Sequence, residues 1–269
     1  MRKWLCGLVL IGGIGLAGVN AASAVEEGIC GSETLYTSLK AALEKVVKAG
    51  GNGGLGNDMW ATIVNRDGIV CAVVFTGANR ADQWPGSRVI SAQKANTANA
   101  FSRPRGVMGF AAPLSTANLY SAVQPGQTLF GLQESNPVDP SVAYAGNPAN
   151  YGRPNDPMRG GKIGGVNVFG GGLALYTPAG ALVGGIGVSG DTSCTDHIVA
   201  WKVRHDLNLD NVPGGVSPTS DDNIIHDVKV DPNTGHTVSA KGFGHPECDA
   251  TATAVASTLP KTYPVGPAP

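Results

Sequence analysis

This chain has little charge. Only 14% of its 269 residues are charged, 19 basic against 20 acidic, and no cluster of Lys or Arg rises above that background. Without a basic patch nothing suggests a surface for nucleic acid or an anionic membrane, and no nucleic-acid partner is expected. Long apolar runs are also lacking. The stretch from Trp4 to Val19 carries no charge, but it is shorter than the ~20 residues a span needs, and glycines interrupt it. No repeated alternation of strand and helix follows it, so a parallel dinucleotide-binding fold has no support.

What the N-terminus does have is a basic start, Met1-Arg2-Lys3, then the apolar stretch, then Ala22-Ser23-Ala24. Basic, apolar, small is the order of a secretory signal. The reading is a cleavable signal peptide over residues 1–24 and an exported chain, periplasmic or secreted, that starts at Val25. A retained membrane anchor is the alternative, opposed by the short stretch and the cleavage site. Cys6 stands too early for lipid attachment, and no membrane span remains after cleavage. Losing Arg2 and Lys3 takes the net charge from −1 to −3. Of five cysteines, Cys30, Cys71, Cys194 and Cys248 remain. An even number in an exported chain reads as up to two disulfides, with three possible connectivities.

Residues 34–49 place Leu35, Leu39, Ala42, Leu43, Val46 and Val47 at helical spacing. Ser32 or Thr34 can cap that helix, and Gly50-Gly51 stops it. A flexible connection over 50–57 leads to two β-rich runs, 60–65 and 69–75, around Arg66-Asp67-Gly68: a hairpin. Residues 87–101 predict a second helix and 116–123 a short third. From 124 to 166 proline, asparagine and glycine dominate without a period, which reads as a functional or wrapping insertion. Strands follow at 173–177 and 182–188. Ser193-Cys194-Thr195-Asp196 resembles a capping box opening a helix to about Asn208, with Cys194, Ile198, Trp201 and His205 along its stripe. A second hairpin spans 224–230 and 236–242, and the proline-rich tail 263–269 reads as loose. Hairpin-linked strands with interspersed helices indicate an α/β (α+β) fold: an antiparallel sheet with helices packed on it. The expected division is a domain over 25–210 and an extension over 211–269.

Several motifs compete for function. Gly185-Ile186-Gly187-Val188-Ser189-Gly190 matches G-x-G-x-x-G, but a lone match late in the chain is weak, and Asp210 ends a helix instead of a following strand. The glycines fit better with close approach of the strand to another backbone or to a flat ligand. The run Gly187 to Asp191 departs from a nucleophile elbow, which needs glycine where Asp191 stands. His197, in the first turn of its helix, would be held neutral by the helix dipole, the form that binds metal or heme iron. Asp191 and Asp196 would orient it, or it is an ordinary solvated helix residue. His245-Pro246-Glu247-Cys248 carries ligand types, although a disulfide competes for Cys248. Lys94, Asn96 and Thr97 on one helix, with Arg80, Asp82 and Trp84 on the loop before it, either line a pocket or lie on the surface.

Three segments together resemble the GlcG/HbpS-like family of heme-binding proteins, which includes the C-terminal domain of PduO. They are the hairpin 60–75 with Asn65-Arg66-Asp67-Gly68; Ser91-Ala92-Gln93-Lys94-Ala95-Asn96-Thr97-Ala98 with Phe101; and Leu182 through Asp191 with Asp196. The resemblance covers roughly 34–208 apart from the insertion. The signal, the four cysteines, the insertion and the tail set this chain apart as an exported branch. It implies a profilin-like, five-stranded antiparallel sheet that self-associates and binds heme as its cofactor. It also implies a pocket, for which the candidates are Arg80, Trp84, Lys94, Thr97, Gly187, Ser189, Asp191 and Asp196, and the pairings Cys30–Cys71 and Cys194–Cys248; iron ligands differ between members, and His197 is the candidate here because it adjoins the matched Asp196. The expected function is an exported protein that carries, buffers or senses heme without turnover. The alternatives are a heme-degrading or small-acid or aldehyde enzyme, and an accessory module of an extracytoplasmic oxidation pathway that uses the insertion as its contact surface.

Overall fold

The computed structural model describes residues 28–104 and 113–266. The expected signal peptide and the mature start at Val25 lie outside them. Among the described residues no helix is long and apolar enough to cross a membrane.

A turn of 3-10 helix at Gly28–Gly31 precedes helix α1 (Leu35–Ala49), whose Leu35, Leu39, Ala42, Leu43 and Val46 are buried. Strands β1 (Trp60–Asn65) and β2 (Val70–Phe75) pair antiparallel as the predicted hairpin. Its turn is organised by Asn65, whose side-chain oxygen accepts from the N–H groups of Asp67 and Ile69. Helix α2 (Ser87–Phe101) follows, and then the short α3 (Thr116–Leu119) and α4 (Pro140–Ala143). Strands β3 (Gly172–Tyr176) and β4 (Leu182–Ser189), helix α5 (Ser193–Asp206), the small hairpin β5 (Val228–Val230) and β6 (Thr237–Ser239), and helix α6 (Ala250–Thr262) complete the order.

The main sheet runs β2-β1-β4-β3, antiparallel throughout. Helix α2 covers one face; α1 and α5 cover the other, with α6 packed on α5. Strand alternation supplies both contacts. Ala61, Ile63, Ile186 and Val188 join the core shared with α1, α5 and α6, while Trp60 and Val64 join the cluster under α2.

The expected fifth strand is not met: among the described residues the main sheet has four. After α5 the described chain makes a single bridge to the β3 edge, with Tyr176 N–H donating to the Leu209 carbonyl and Asn211 N–H to that of Tyr176. Pro213 and two glycines follow, and these end pairing instead of extending it. The opposite edge, at β2, is met by the insertion: Val70 N–H donates to the Gly161 carbonyl and Gly160 N–H to that of Val70.

The capping box expected at Ser193 is also replaced. Thr192 is the N-cap, its hydroxyl accepting from Thr195 N–H, because the Asp196 carboxylate is committed to Lys94 and to the Asp191 N–H. Helix α6 was not expected. Its Ala252, Ala256 and Leu259 are a short, weakly apolar stripe, and Pro260 argues against helix. Pro260 cannot donate to the Ala256 carbonyl, which instead accepts from the Asn223 side chain at 2.8 Å. The disulfides are Cys30–Cys71 and Cys194–Cys248, the pairings implied by the resemblance.

Candidate functional site

The residues expected to share one pocket fall into two groups. Around the end of β4 lies a dry polar network. Lys94 reaches from α2 through the sheet, its ammonium 2.7 Å from Asp196 and donating to the Val188 carbonyl at 3.1 Å; both charged groups are buried. Burial pushes Asp196 up to about 6, against the pull of Lys94, and pushes Lys94 down. Asp191 accepts from the N–H groups of Leu55, Asn57 and Thr192, folding the glycine-rich connection onto the N-terminus of α5. Ser189 is buried opposite Trp60 in the β1–β4 ladder. Thr97 donates to the Gln93 carbonyl and accepts from Asn167 N–H, fastening the end of the insertion to α2.

The β4 glycines serve backbone approach. A Cβ on Gly187 would collide with the Ser91 carbonyl, and one on Gly185 with that of Ala95. The backbone of α2 at Ser91, Ala95 and Asn99 meets them, so helix and strand backbones touch where a flat ligand was the other option.

His197 is not a solvated residue. It is fully buried; its Nε2 lies 3.2 Å from Asn223 Oδ1 and 3.1 Å from the Ile224 N–H, and its Nδ1 has no partner. Burial first, and then the Arg204 cation, push its imidazole down to about 3. It is therefore neutral, as expected, but through enclosure by residues 223–224 instead of the helix dipole alone.

The second group is open. Arg80 and the loop before α2 border a cleft of about 360 Å³ with Trp60, Ala81, Pro85, Tyr144, Pro148 and Tyr151. Trp84 stands beside it, 51% exposed, its carbonyl accepting from the Trp60 indole N–H. The insertion supplies the far wall, and α2 anchors it. Arg88, buried, donates from Nε to Asp156 at 2.9 Å and from Nη1 to the Ala143 carbonyl, while its guanidinium stacks 3.6 Å over the Tyr151 ring. Asn147 caps the turn before Pro148, leaving Tyr144 67% exposed at the rim. Reading the sequence missed Tyr144, Tyr151, Arg88 and Asp156. The available signal was two tyrosines flanking Asn147-Pro148 within a segment that has no period of its own. A further cleft, of about 430 Å³, lies between the first 3-10 turn and Leu207–Leu209 but is lined by neither a cation nor an aromatic ring.

The model of the family described as "Haem degrading protein HbpS-like" matches residues 33–204. This chain belongs to the HbpS-like family. Solved structures similar to this HbpS-like chain include a PduOC:heme complex, 24% identical over 66% of this chain and 95% of that one, TM-score 0.43. Klebsiella pneumoniae protein ORFY is 23% identical over 64% and 86%, TM-score 0.42. HbpS is 17% identical over 62% and 83%, TM-score 0.36. No curated protein matches this HbpS-like chain.

Proposed function

We propose that this chain is an exported heme-binding protein that carries, buffers or senses heme. Membership of the HbpS-like family over residues 33–204 carries the reading. Two disulfides accord with an oxidising compartment.

Heme requires an apolar slot, a donor for its iron and a cation for its propionates. The cleft over Trp60 supports the reading with side chains of these kinds in its lining: Trp60, Pro85, Pro148, Tyr144, Tyr151 and Arg80. We assign Arg80 to a propionate and Tyr144 to the iron, in place of the enclosed His197. Trp60, Pro85 and Pro148 would exclude water from one porphyrin face, and the Arg88–Asp156 pair holds that wall in position. Bound heme would supply one-electron redox chemistry.

Titrating the chain from Val25 with hemin, with mass measured alongside, tests this. The expected result is saturable binding of one heme per chain with a distinct Soret band, in a self-associated protein. Tyr144→Phe should shift the band and weaken binding about tenfold, and Arg80→Ala should weaken it less. His197→Ala should leave the band in place. Unchanged spectra and affinity in the first two variants would remove the cleft assignment, and absence of any saturable binding would remove the function. The family's description favours heme degradation as a second reading; a ring-opened tetrapyrrole formed from bound heme and a reductant would establish it.

A further inference from the structure

Outside the family-matched segment, the extension beyond residue 211 returns to the N-terminus of α5 and brings two histidines beside a disulfide. One ligand-type atom each from Cys194, His226 and His245 lie within 4.8 Å of one another, and Cys248 is bonded to Cys194. The two histidine-bearing segments are tied by His245 N–H donating to the Ile225 carbonyl at 2.8 Å. Both ring nitrogens of His226 are shielded from solvent and have no hydrogen-bond partner. Such unpaired buried nitrogens are costly, and their presence points to a further state in which they are used. The His245 Nδ1 lies 2.7 Å from the Pro246 carbonyl and so carries the proton, while Nε2 accepts only a long, 3.4 Å bond from the Gly170 N–H, which a metal would displace.

We propose that Cys194, Cys248, His226 and His245 form a Cys2His2 site for zinc or a similar divalent metal when the Cys194–Cys248 bond is reduced, so that disulfide and metal are alternative occupants of one place.

Tetrahedral zinc sets its ligand atoms about 3.3–3.8 Å apart, given Zn–S near 2.3 Å and Zn–N near 2.0 Å. Reaching that geometry requires the two sulfurs, bonded at 2.03 Å, to separate, while the histidine nitrogens, within 4.8 Å of Cys194 Sγ, draw in by about 1 Å. The redox step is thiol–disulfide exchange with a dithiol. Cys248 is exposed while Cys194 is buried, so the dithiol's thiolate attacks Cys248 Sγ; the S–S bond breaks and Cys194 leaves as thiolate at the N-terminus of α5, where the helix dipole favours it. The dithiol's second thiol then displaces Cys248. The dithiol is oxidised to its own disulfide, and the protein gains two electrons and two protons. Metal binding expels those two protons as both sulfurs coordinate. A disulfide-form partner reverses the sequence and releases the ion.

The test is Co²⁺ titration of the chain from Val25, reduced with a phosphine, against the oxidised chain, with folding followed by circular dichroism. The reduced chain should take up one Co²⁺ with thiolate-to-metal charge transfer and tetrahedral d–d bands, and the oxidised chain should show no such bands. His226→Ala and His245→Ala should each weaken uptake at least tenfold. The pair Cys30→Ser with Cys71→Ser, and His236→Ala on the exposed hairpin, should bind as the parent does. Equal loss on His236→Ala would mean that an unfolded chain is chelating, and would overturn the proposal. So would a reduced, folded chain with no tetrahedral spectrum, or one indifferent to both histidines.

Discussion

Gly187 lies under the Ser91 carbonyl of α2, and a methyl group there has nowhere to go. Gly187→Ala should destabilise the protein by about 3 kcal/mol or more, read as a lower urea midpoint with unchanged slope. A tolerated alanine would mean that helix and strand are further apart than described. The buried histidines make a different prediction. His197 and His245 are pushed down, to about 3 and about 4, while their unfolded counterparts protonate near 6.5. Between pH 6 and pH 4 the unfolded chain therefore binds two protons that the folded chain refuses, and stability falls with pH. Asp196, raised to about 6, opposes this, because over that range the folded state holds the extra proton. The two depressed imidazoles outweigh the one raised carboxyl, so stability should fall on acidification over this range. Urea denaturation at pH 6, 5 and 4 measures it, and a flat profile would contradict the burial of the two rings. His197 illustrates what residue-level reading can reach. Its neutral state was legible from helix position, but its enclosure was not, since Asn223 and Ile224 arrive from another part of the chain.

The insertion over residues 124–166 has little regular structure, yet Arg88 and Asp156 fasten it to α2 from inside. Asp156→Ala would leave a guanidinium buried without its partner and should cost about 3–5 kcal/mol. The first consequence should be local: protease cutting within 140–160, and loss of hemin binding together with the Tyr144 and Tyr151 wall. Cutting unchanged from the parent would show that the pair does not hold the segment. Elements with strong periodicity were readable in advance, α1 and the β1–β2 hairpin above all, because their apolar residues repeat at 3.6 or 2. Helix α6 was not. Alanine and threonine give a faint stripe, and the carbonyl freed by Pro260 is satisfied only by Asn223 from elsewhere. Among the described residues the sheet has four strands and not the expected five, since the β3 edge is met by a Pro- and Gly-bearing segment that makes a single bridge.

At the scale of the whole molecule, two covalent bonds span what the sheet does not. Cys30–Cys71 encloses 41 residues and ties the first turn to β2; Cys194–Cys248 encloses 54 and ties the C-terminal extension to α5. Replacing Cys194 and Cys248 together by serine should lower stability by about 2–4 kcal/mol. Exchange protection should be lost first in α6 and in residues 223–248, where the histidine cluster resides. Uniform loss across the sheet would argue instead that extension and body unfold as one unit. Family membership covers the body alone, residues 33–204. The sulfur–histidine cluster takes His226, His245 and Cys248 from the extension and Cys194 from the body, at a distance from the proposed heme cleft, so the two can be tested separately.

Local pattern alone determined the helices with strong stripes, the D-G hairpin, the antiparallel class and the glycines that demand a close neighbour, because each depends on residues a few positions apart. Tertiary structure decided which neighbour that was, α2 instead of a ligand. It also decided that Lys94 and Asp196 are an interior pair, and that Tyr144 and Tyr151 face Arg80 across a cleft. Those outcomes depend on contacts between residues dozens of positions apart, set by how the insertion and the extension fold back on the sheet, and no short-range spacing encodes them.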